Sequence, residues 1–139
     1  MKQQTLAIIK PDATKRNLIG EILTCMERNG FTIKALKMLH LTSEQAEGFY
    51  AEHKGKDFLP KLVTFMTSAP IVVLVLEGEN AVENYRELMG ATKVELRKSG
   101  TIRKMYGLGL TENSVHGSDS EESAKREIAY FFTPNEIMN

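Results

Sequence analysis

Directly after Pro70 the chain runs through Ile71-Val72-Val73-Leu74-Val75-Leu76, six consecutive apolar residues of which three are valine. A strand with one wet face alternates apolar and polar side chains, so an unbroken run of this kind reads as a central strand covered on both faces. The fold must therefore supply an apolar layer on each side of it. With 139 residues, 42% hydrophobic and 26% charged, the chain can bury one sizeable core, and a single domain over residues 1–139 is expected. The same figures exclude a disordered tail protein and a collagen-like repeat.

The remaining elements follow from spacing. Thr5 to Ile9 is a short apolar run stopped by Lys10-Pro11, and its β-branched content marks a buried strand. Leu18, Ile19, Ile22, Leu23 and Met26 recur at helical spacing up to Asn29-Gly30, where glycine can supply a left-handed cap. Phe31, Ile33 and Ala35 alternate with polar partners and the phase slips at Leu36, which predicts a second strand with a bulge there. Thr42 and Gln45 have capping-box spacing and open a helix through Tyr50 and His53; Phe58, Leu62 and Phe65 predict another short helix. Asn80 with Glu83 reads as a second capping pair, ahead of a stripe of Val82, Tyr85, Leu88 and Met89 closed by Gly90. Residues 91–113 lack sustained periodicity and are expected to form a long loop, which in a compact domain is more often functional than idle. Ser114 to Gly117 reads as a short strand, and Ala124, Ile128 and Phe131 line a last helix. This order suits an α/β (α+β) sandwich of the ferredoxin-like, split βαβ pattern, a four-stranded antiparallel sheet with helices on one face.

Eighteen basic residues balance eighteen acidic ones, so no net field draws nucleic acid or anionic lipid as the main partner, and any anion site must be local. Cys25 stands alone, and three histidines without a Cys-x-x-Cys pair offer no zinc spacing, so a reducing compartment is expected. The first apolar run is too short for a signal peptide or a membrane span, which makes the expected location cytoplasmic. The local anion site lies between Arg86 and Lys104, where six basic residues face two acidic ones for a net of +4. Arg97 and Lys98 read as a solvated part of that loop, whereas Arg86 and Arg103 would suit a phosphate clamp, since guanidinium donors match phosphate oxygens.

No Gly-x-x-x-x-Gly-Lys stretch exists, and Gly107-Leu108-Gly109 is followed by the wrong residues for a dinucleotide fingerprint, so phosphates would be held by side chains. The densest polar constellation is Asn113-Ser114-Val115-His116-Gly117-Ser118-Asp119-Ser120: a histidine at a strand end, a glycine that allows close backbone approach, then a Ser/Asp-rich helix start. His40 and His53 read as structural by comparison, and His116 as the exposed, well-held imidazole. Glu127 lies within about 60° of the apolar stripe of the last helix, so its carboxylate either reaches His116 or turns out to water. Bonded to one ring nitrogen, it would fix the tautomer and leave the other free to attack. Lys10 ends a strand where α/β domains often meet ligand. Phe58 could be a core knob or a stacking plate, and its spacing to Leu62 and Phe65 favours the core.

The motif around His116 resembles the active-site text Asn-x-x-His-Gly-Ser-Asp of the nucleoside diphosphate kinases, and the resemblance runs over essentially the whole chain. Supporting stretches are Thr5 to Asp12, Met89-Gly90-Ala91-Thr92, Gly100-Thr101-Ile102-Arg103 and Glu127 to Phe132. The resemblance implies transfer of the γ-phosphate of ATP or another nucleoside triphosphate to nucleoside diphosphates. The transfer would be ping-pong, through a phosphohistidine on His116, with broad base specificity and with Mg²⁺ held mainly by the nucleotide phosphates. It also implies that Lys10 and Asn113 contact ribose and phosphates, that Arg86, Thr92 and Arg103 hold phosphate, and that Phe58 stacks on the base against the core reading above. Tyr50 would line the phosphate pocket, His53 would approach a phosphate, Leu62 and Leu110 would flank the base, and Glu127 would orient His116. The family fold adds a helical hairpin before the central strand, and the family pattern implies a homo-oligomer, tetramer or hexamer. Three places depart from the usual text: Lys93-Val94 for Asn-Pro, Ala69 for a glycine, and Lys104-Met105 after Arg103. A non-catalytic nucleotide-binding or regulatory domain of the same fold is the alternative; it would need the basic loop but no free imidazole. Nucleic-acid binding through the basic loop would be secondary.

Overall fold

The computed structural model describes residues 2–139. Four strands, β1 (Lys2–Ile9), β2 (Thr32–Leu39), β3 (Ile71–Glu79) and β4 (Val115–Gly117), form one antiparallel sheet in the order β2-β3-β1-β4. The helices are α1 (Pro11–Lys15), α2 (Ile19–Arg28), α3 (Ser43–Phe49), α4 (Leu59–Met66), α5 (Ala81–Met89), α6 (Ile102–Tyr106) and α7 (Glu121–Phe131). This is the ferredoxin-like arrangement, with the α3 and α4 hairpin inserted ahead of β3.

The apolar run of β3 sits beside β1 in the middle of the sheet, and none of its six residues is more than 2% exposed. Val72, Leu74 and Leu76 point with Ala7 and Ile9 into a layer built from α2 and α5, where Ile22, Met26, Ala81 and Tyr85 close over them. Ile71, Val73 and Val75 point with Leu6 and Ile8 the other way, against Ala46, Phe49, Met66 and Phe131. Helices thus cover both faces, not one as the element order alone had implied; the hairpin and α7 supply the second layer. Emptying the centre of such a core, as in Leu74→Ala, costs about 2–5 kcal/mol.

Local details correct the sequence reading at three points. The register of β2 shifts between Ile33 and Ala35, ahead of the expected slip at Leu36. Ile33 therefore packs on the α2 layer while Ala35 belongs to the opposite one, and their apparent alternation on one face is the bulge itself. Asn80 does not cap α5 with its side chain: it takes a left-handed φ of 43°, and Gln3 Oε1 from β1 accepts the Val82 N–H at 2.8 Å instead. Residues 91–113 contain α6, whose start is capped by Thr101, and a single 3-10 turn at Val94–Leu96. At five residues, α6 is too short to show a period. By contrast the Thr42 and Gln45 capping box is formed in both directions, and Gly30 has the positive φ that ends α2.

Candidate active site

Pro11 has no N–H to continue a ladder, so β1 stops at Ile9 and the chain turns into α1 with Lys10 at its cap position. The sheet order sets β4 alongside β1, with Ile8 opposite His116, and the Lys10 N–H reaches the Ser114 carbonyl at 2.8 Å. Lys10 Nζ donates to Asn113 Oδ1 at 3.0 Å, and Asn113 Nδ2 donates to the Leu110 carbonyl at 2.8 Å. Burial, reinforced by the charge of Arg103, brings the Lys10 ammonium down to about 8. Beneath this pair, Ser114 holds a φ of 76° and its hydroxyl donates to the buried Asp12 carboxylate at 3.3 Å.

Glu127, on the inner edge of α7, meets His116: Nε2 donates to Oε1 at 2.8 Å. A carboxylate only accepts, so Nε2 carries the proton and Nδ1 keeps its lone pair. Burial pushes His116 below the ordinary histidine range, and the nearby charges of Lys10 and Arg103 act the same way, against the pull of Glu127. The ring is neutral near neutral pH. Phe49 stands edge-on against it, ring centres 5.4 Å apart. Gly117 is required here for space: a Cβ would come within 2.7 Å of the Tyr85 ring and 2.9 Å of Met89.

A cavity of about 180 Å³ opens at His116. Of the residues singled out in the sequence, Glu127, Tyr50, His53, Arg86, Thr92 and Arg103 line it together with His116. Burial raises the Tyr50 phenol above its usual range. Arg86, Thr92, Arg103 and Asp119 also line a larger neighbouring cleft of about 760 Å³. Lys10 and Asn113 do not line the small cavity and are linked to each other. Phe58, Leu62 and Leu110 lie outside it too. Phe58 is 50% exposed, so the core reading from its spacing fails, and its ring meets His53 edge-on at 5.2 Å. Leu62 packs partly on the hairpin layer, and Leu110 is exposed.

Arg103 is buried on α6, which lowers its guanidinium to about 10. It donates through Nη1 to the Gly90 carbonyl and Thr92 Oγ1, and through Nη2 to the Val115 carbonyl, binding the loop to β4. Its Nε has no partner among the described residues. Sequence reasoning missed three groups. Ser118 donates to the same Glu127 oxygen as His116. Asp119, at the meeting of the two cavities, is held below the usual carboxylate range chiefly by the Ser123 hydrogen bond. Arg97, read as solvated, is buried and bonded to three carbonyls. The first two stood in the quoted motif; nothing in the sequence marked the third.

The fold and this cleft together define a class: a small ferredoxin-like sandwich with a cationic pocket centred on a carboxylate-held neutral histidine. A family model described as nucleoside diphosphate kinase matches residues 3–137. The chain is 80% identical over 138 residues to the nucleoside diphosphate kinase of Glaesserella parasuis serovar 5, covering 99% of this chain and all of that one. Its fold superposes on the Aquifex aeolicus nucleoside diphosphate kinase with a TM-score of 0.96 at 43% identity, over 99% of this chain and 100% of that one. A nucleoside diphosphate kinase from Halobacterium salinarum, solved in complex with CDP, gives 0.95 at 40% identity, over 100% of this chain and 93% of that one. The chain belongs to the nucleoside diphosphate kinase family.

Proposed function

We propose that this chain moves the γ-phosphate of a nucleoside triphosphate to a nucleoside diphosphate in two half-reactions, with His116 Nδ1 as the nucleophile. In the first, the Nδ1 lone pair attacks the γ-phosphorus, an N–P bond forms, and the bond to the bridging oxygen breaks to release the diphosphate. In the second, a terminal oxygen of an incoming diphosphate attacks the same phosphorus and the N–P bond breaks. Two nucleotides of one kind then use one pocket in turn, and kinetics are ping-pong. The observation that carries the reading is the His116 and Glu127 hydrogen bond, which leaves Nδ1 unprotonated beside a cluster of cationic side chains.

Arg86, Arg103 and Thr92 hold phosphate in this reading, with Tyr50 and His53 on the pocket wall, and their donors meet charge that grows in the transition state. Lys10 and Asn113 take the ribose and phosphates, while Phe58 offers a face that any base can stack on, with Leu62 and Leu110 flanking the base. Among the described residues no three His, Cys, Asp or Glu side chains cluster to hold a metal ion. Asp119 is the one carboxylate common to both cavities. This donor set fits a divalent cation, Mg²⁺, carried on the nucleotide phosphates with Asp119 at hand. When bound, Mg²⁺ neutralises charge on the transferred group. The chain is further proposed to act as a cytoplasmic homo-oligomer, tetramer or hexamer, a reading supported by Leu36 and Met38 exposed on the edge strand β2; light scattering giving a monomer near 15.6 kDa would refute it.

The test is covalent. With radiolabelled ATP, Mg²⁺ and no acceptor, the protein should take up acid-labile, base-stable phosphate, and His116→Ala should lose both label and turnover while still binding nucleotide. Stoichiometric acid-labile phosphate on the His116→Ala protein would sink the mechanism.

A further inference from the structure

Residues 91–113 carry Thr92, Arg103, Leu110 and Asn113, yet contain no proline and little regular structure. Something other than backbone stiffness must hold the two ends of this loop at a fixed distance. Arg103 ties residues 90 and 92 to Val115, and Arg97 ties the same start of the loop to Gly109. Arg97 Nε donates to the Ala91 carbonyl at 3.0 Å, and its Nη2 donates to the carbonyls of Thr92 at 2.9 Å and Gly109 at 2.7 Å. Among the described residues no carboxylate pairs with it, and it is 7% exposed. Three carbonyl dipoles, from two separate stretches of chain, share one buried guanidinium. Gly107 is shaped to the same contact, since a Cβ there would stand 2.8 Å from Arg97 Nη1.

Ala91 and Thr92 line the larger cleft, and in the nucleotide-binding reading Gly109 leads into the residues that serve its sugar and base side. Thr92 accepts from Arg103, which in turn bonds the carbonyl next to His116. Gly109 precedes Leu110, whose carbonyl holds Asn113, which holds Lys10. We propose that Arg97 is a positioning residue that clips the phosphate side of the nucleotide cleft to its sugar and base side. The inference rests on the nucleotide-binding reading above. A guanidinium spans three acceptors in one plane, which a lysine ammonium cannot reproduce from a single point. Ala91, Thr92 and Gly109 are half-buried or exposed, so water can replace the lost donors, and the cost of removing the clip falls on loop geometry rather than on the core.

Arg97→Met and Arg97→Lys test this, with two readouts. In steady-state kinetics Arg97→Met should raise KM for nucleoside diphosphates about 5- to 20-fold with kcat within about 3-fold, and Arg97→Lys should fall between it and the parent. In hydrogen exchange on the free protein, which needs no turnover, amides at 91–92 and 107–110 should exchange faster together while β1 and α7 stay protected. A KM within about 2-fold of the parent, or a change confined to kcat or Tm, would overturn the proposal. So would unchanged exchange in both stretches. If Arg97→Met does not fold, the same two outcomes are read on Arg97→Lys. A parent protein that takes no phosphate on His116 defeats the functional reading instead, and the exchange experiment still decides whether the clip exists.

Discussion

Ser118 Oγ donates to Glu127 Oε1 at 2.8 Å and itself accepts the Leu6 N–H of β1 at 3.3 Å. The oxygen that holds the imidazole is therefore tied, through one hydroxyl, to a backbone amide in the first strand. The carboxylate cannot swing without breaking that tie. Glu127→Gln keeps the shape but can present N–H where Nε2 needs an acceptor, so turnover should fall on the order of 10- to 1,000-fold with nucleotide affinity retained. Ser118→Ala should cost less in rate, under about 10-fold, but leaves the Leu6 N–H without its hydroxyl acceptor and should lower stability by about 1–3 kcal/mol. Stopped-flow phosphorylation of His116 beside thermal melts separates the two effects. Equal rate losses in both variants would contradict this order.

The charge on Lys10 should set an alkaline limit. Burial holds its ammonium near 8 in the free protein, so raising the pH through that value removes the positive charge proposed to meet ribose and phosphates. Nucleotide kcat/KM should fall above about pH 8, and Lys10→Arg, which keeps its charge, should flatten that limb. For stability the sign is that of a group depressed on folding: its neutral form is favoured by burial, so stability present above the unfolded value near 10.5 is lost as pH falls toward 8. A pH profile of kcat/KM that is flat from 7 to 10 would remove Lys10 from the binding set.

Phe58 presents half its surface to water and no hydrogen-bonding group to a base edge. Phe58→Ala should raise KM for ADP, GDP, CDP and UDP alike, by about 1–3 kcal/mol of lost stacking each. Rejection of three of the four bases by the parent protein at more than about 100-fold, roughly 2.7 kcal/mol, would show that the base is read by something else.

Gly117→Ala should be disproportionately harmful for one methyl group. The added Cβ meets the Tyr85 ring and Met89 at 2.7–2.9 Å, inside a packed layer, so β4 must shift outward. Overpacking of this kind costs about 1–3 kcal/mol, and the Tm should drop by several degrees. Because His116 rides on the same strand, His116 phosphorylation should slow too. A variant with parent-like Tm and parent-like labelling would mean that the strand accommodates the methyl.

How much of this was written in the linear chain depends on the range of the interaction. The run at 71–76 and the Thr42 box were legible because an unbroken apolar run and a four-residue pattern carry them. The His116 and Glu127 pair was legible as one of two options, since helix geometry places the carboxylate near the inner face but cannot say what lies opposite. The cap of α5 was misread because its acceptor, Gln3, comes from a strand 79 residues earlier. Ile33 and Ala35 share an alternating pattern yet face opposite layers, because a bulge changes faces without changing composition. Arg97 reads as solvent-facing charge in the sequence because its partners are carbonyls, which every residue has and no sequence advertises. Phe58 kept a helical spacing with Leu62 and Phe65, but it stands at the cap of α4 rather than within it, where the stripe no longer dictates burial.

The pairing of β4 with β1 has a consequence for the order of events in synthesis. Ile8 lies opposite His116, so the strand bearing the proposed nucleophile finds its neighbour only after more than a hundred intervening residues have been made. Glu127 and Ser118 arrive later still, on the last segment of the chain. A nascent protein can pair β2 with β3 earlier, once the α3 and α4 hairpin between them has been made, but contacts as distant in sequence as β1 with β4 form late and slowly. Phosphate chemistry is thereby withheld until the two ends of the chain have met, and an unfinished copy holds cationic loops with no imidazole oriented to use them.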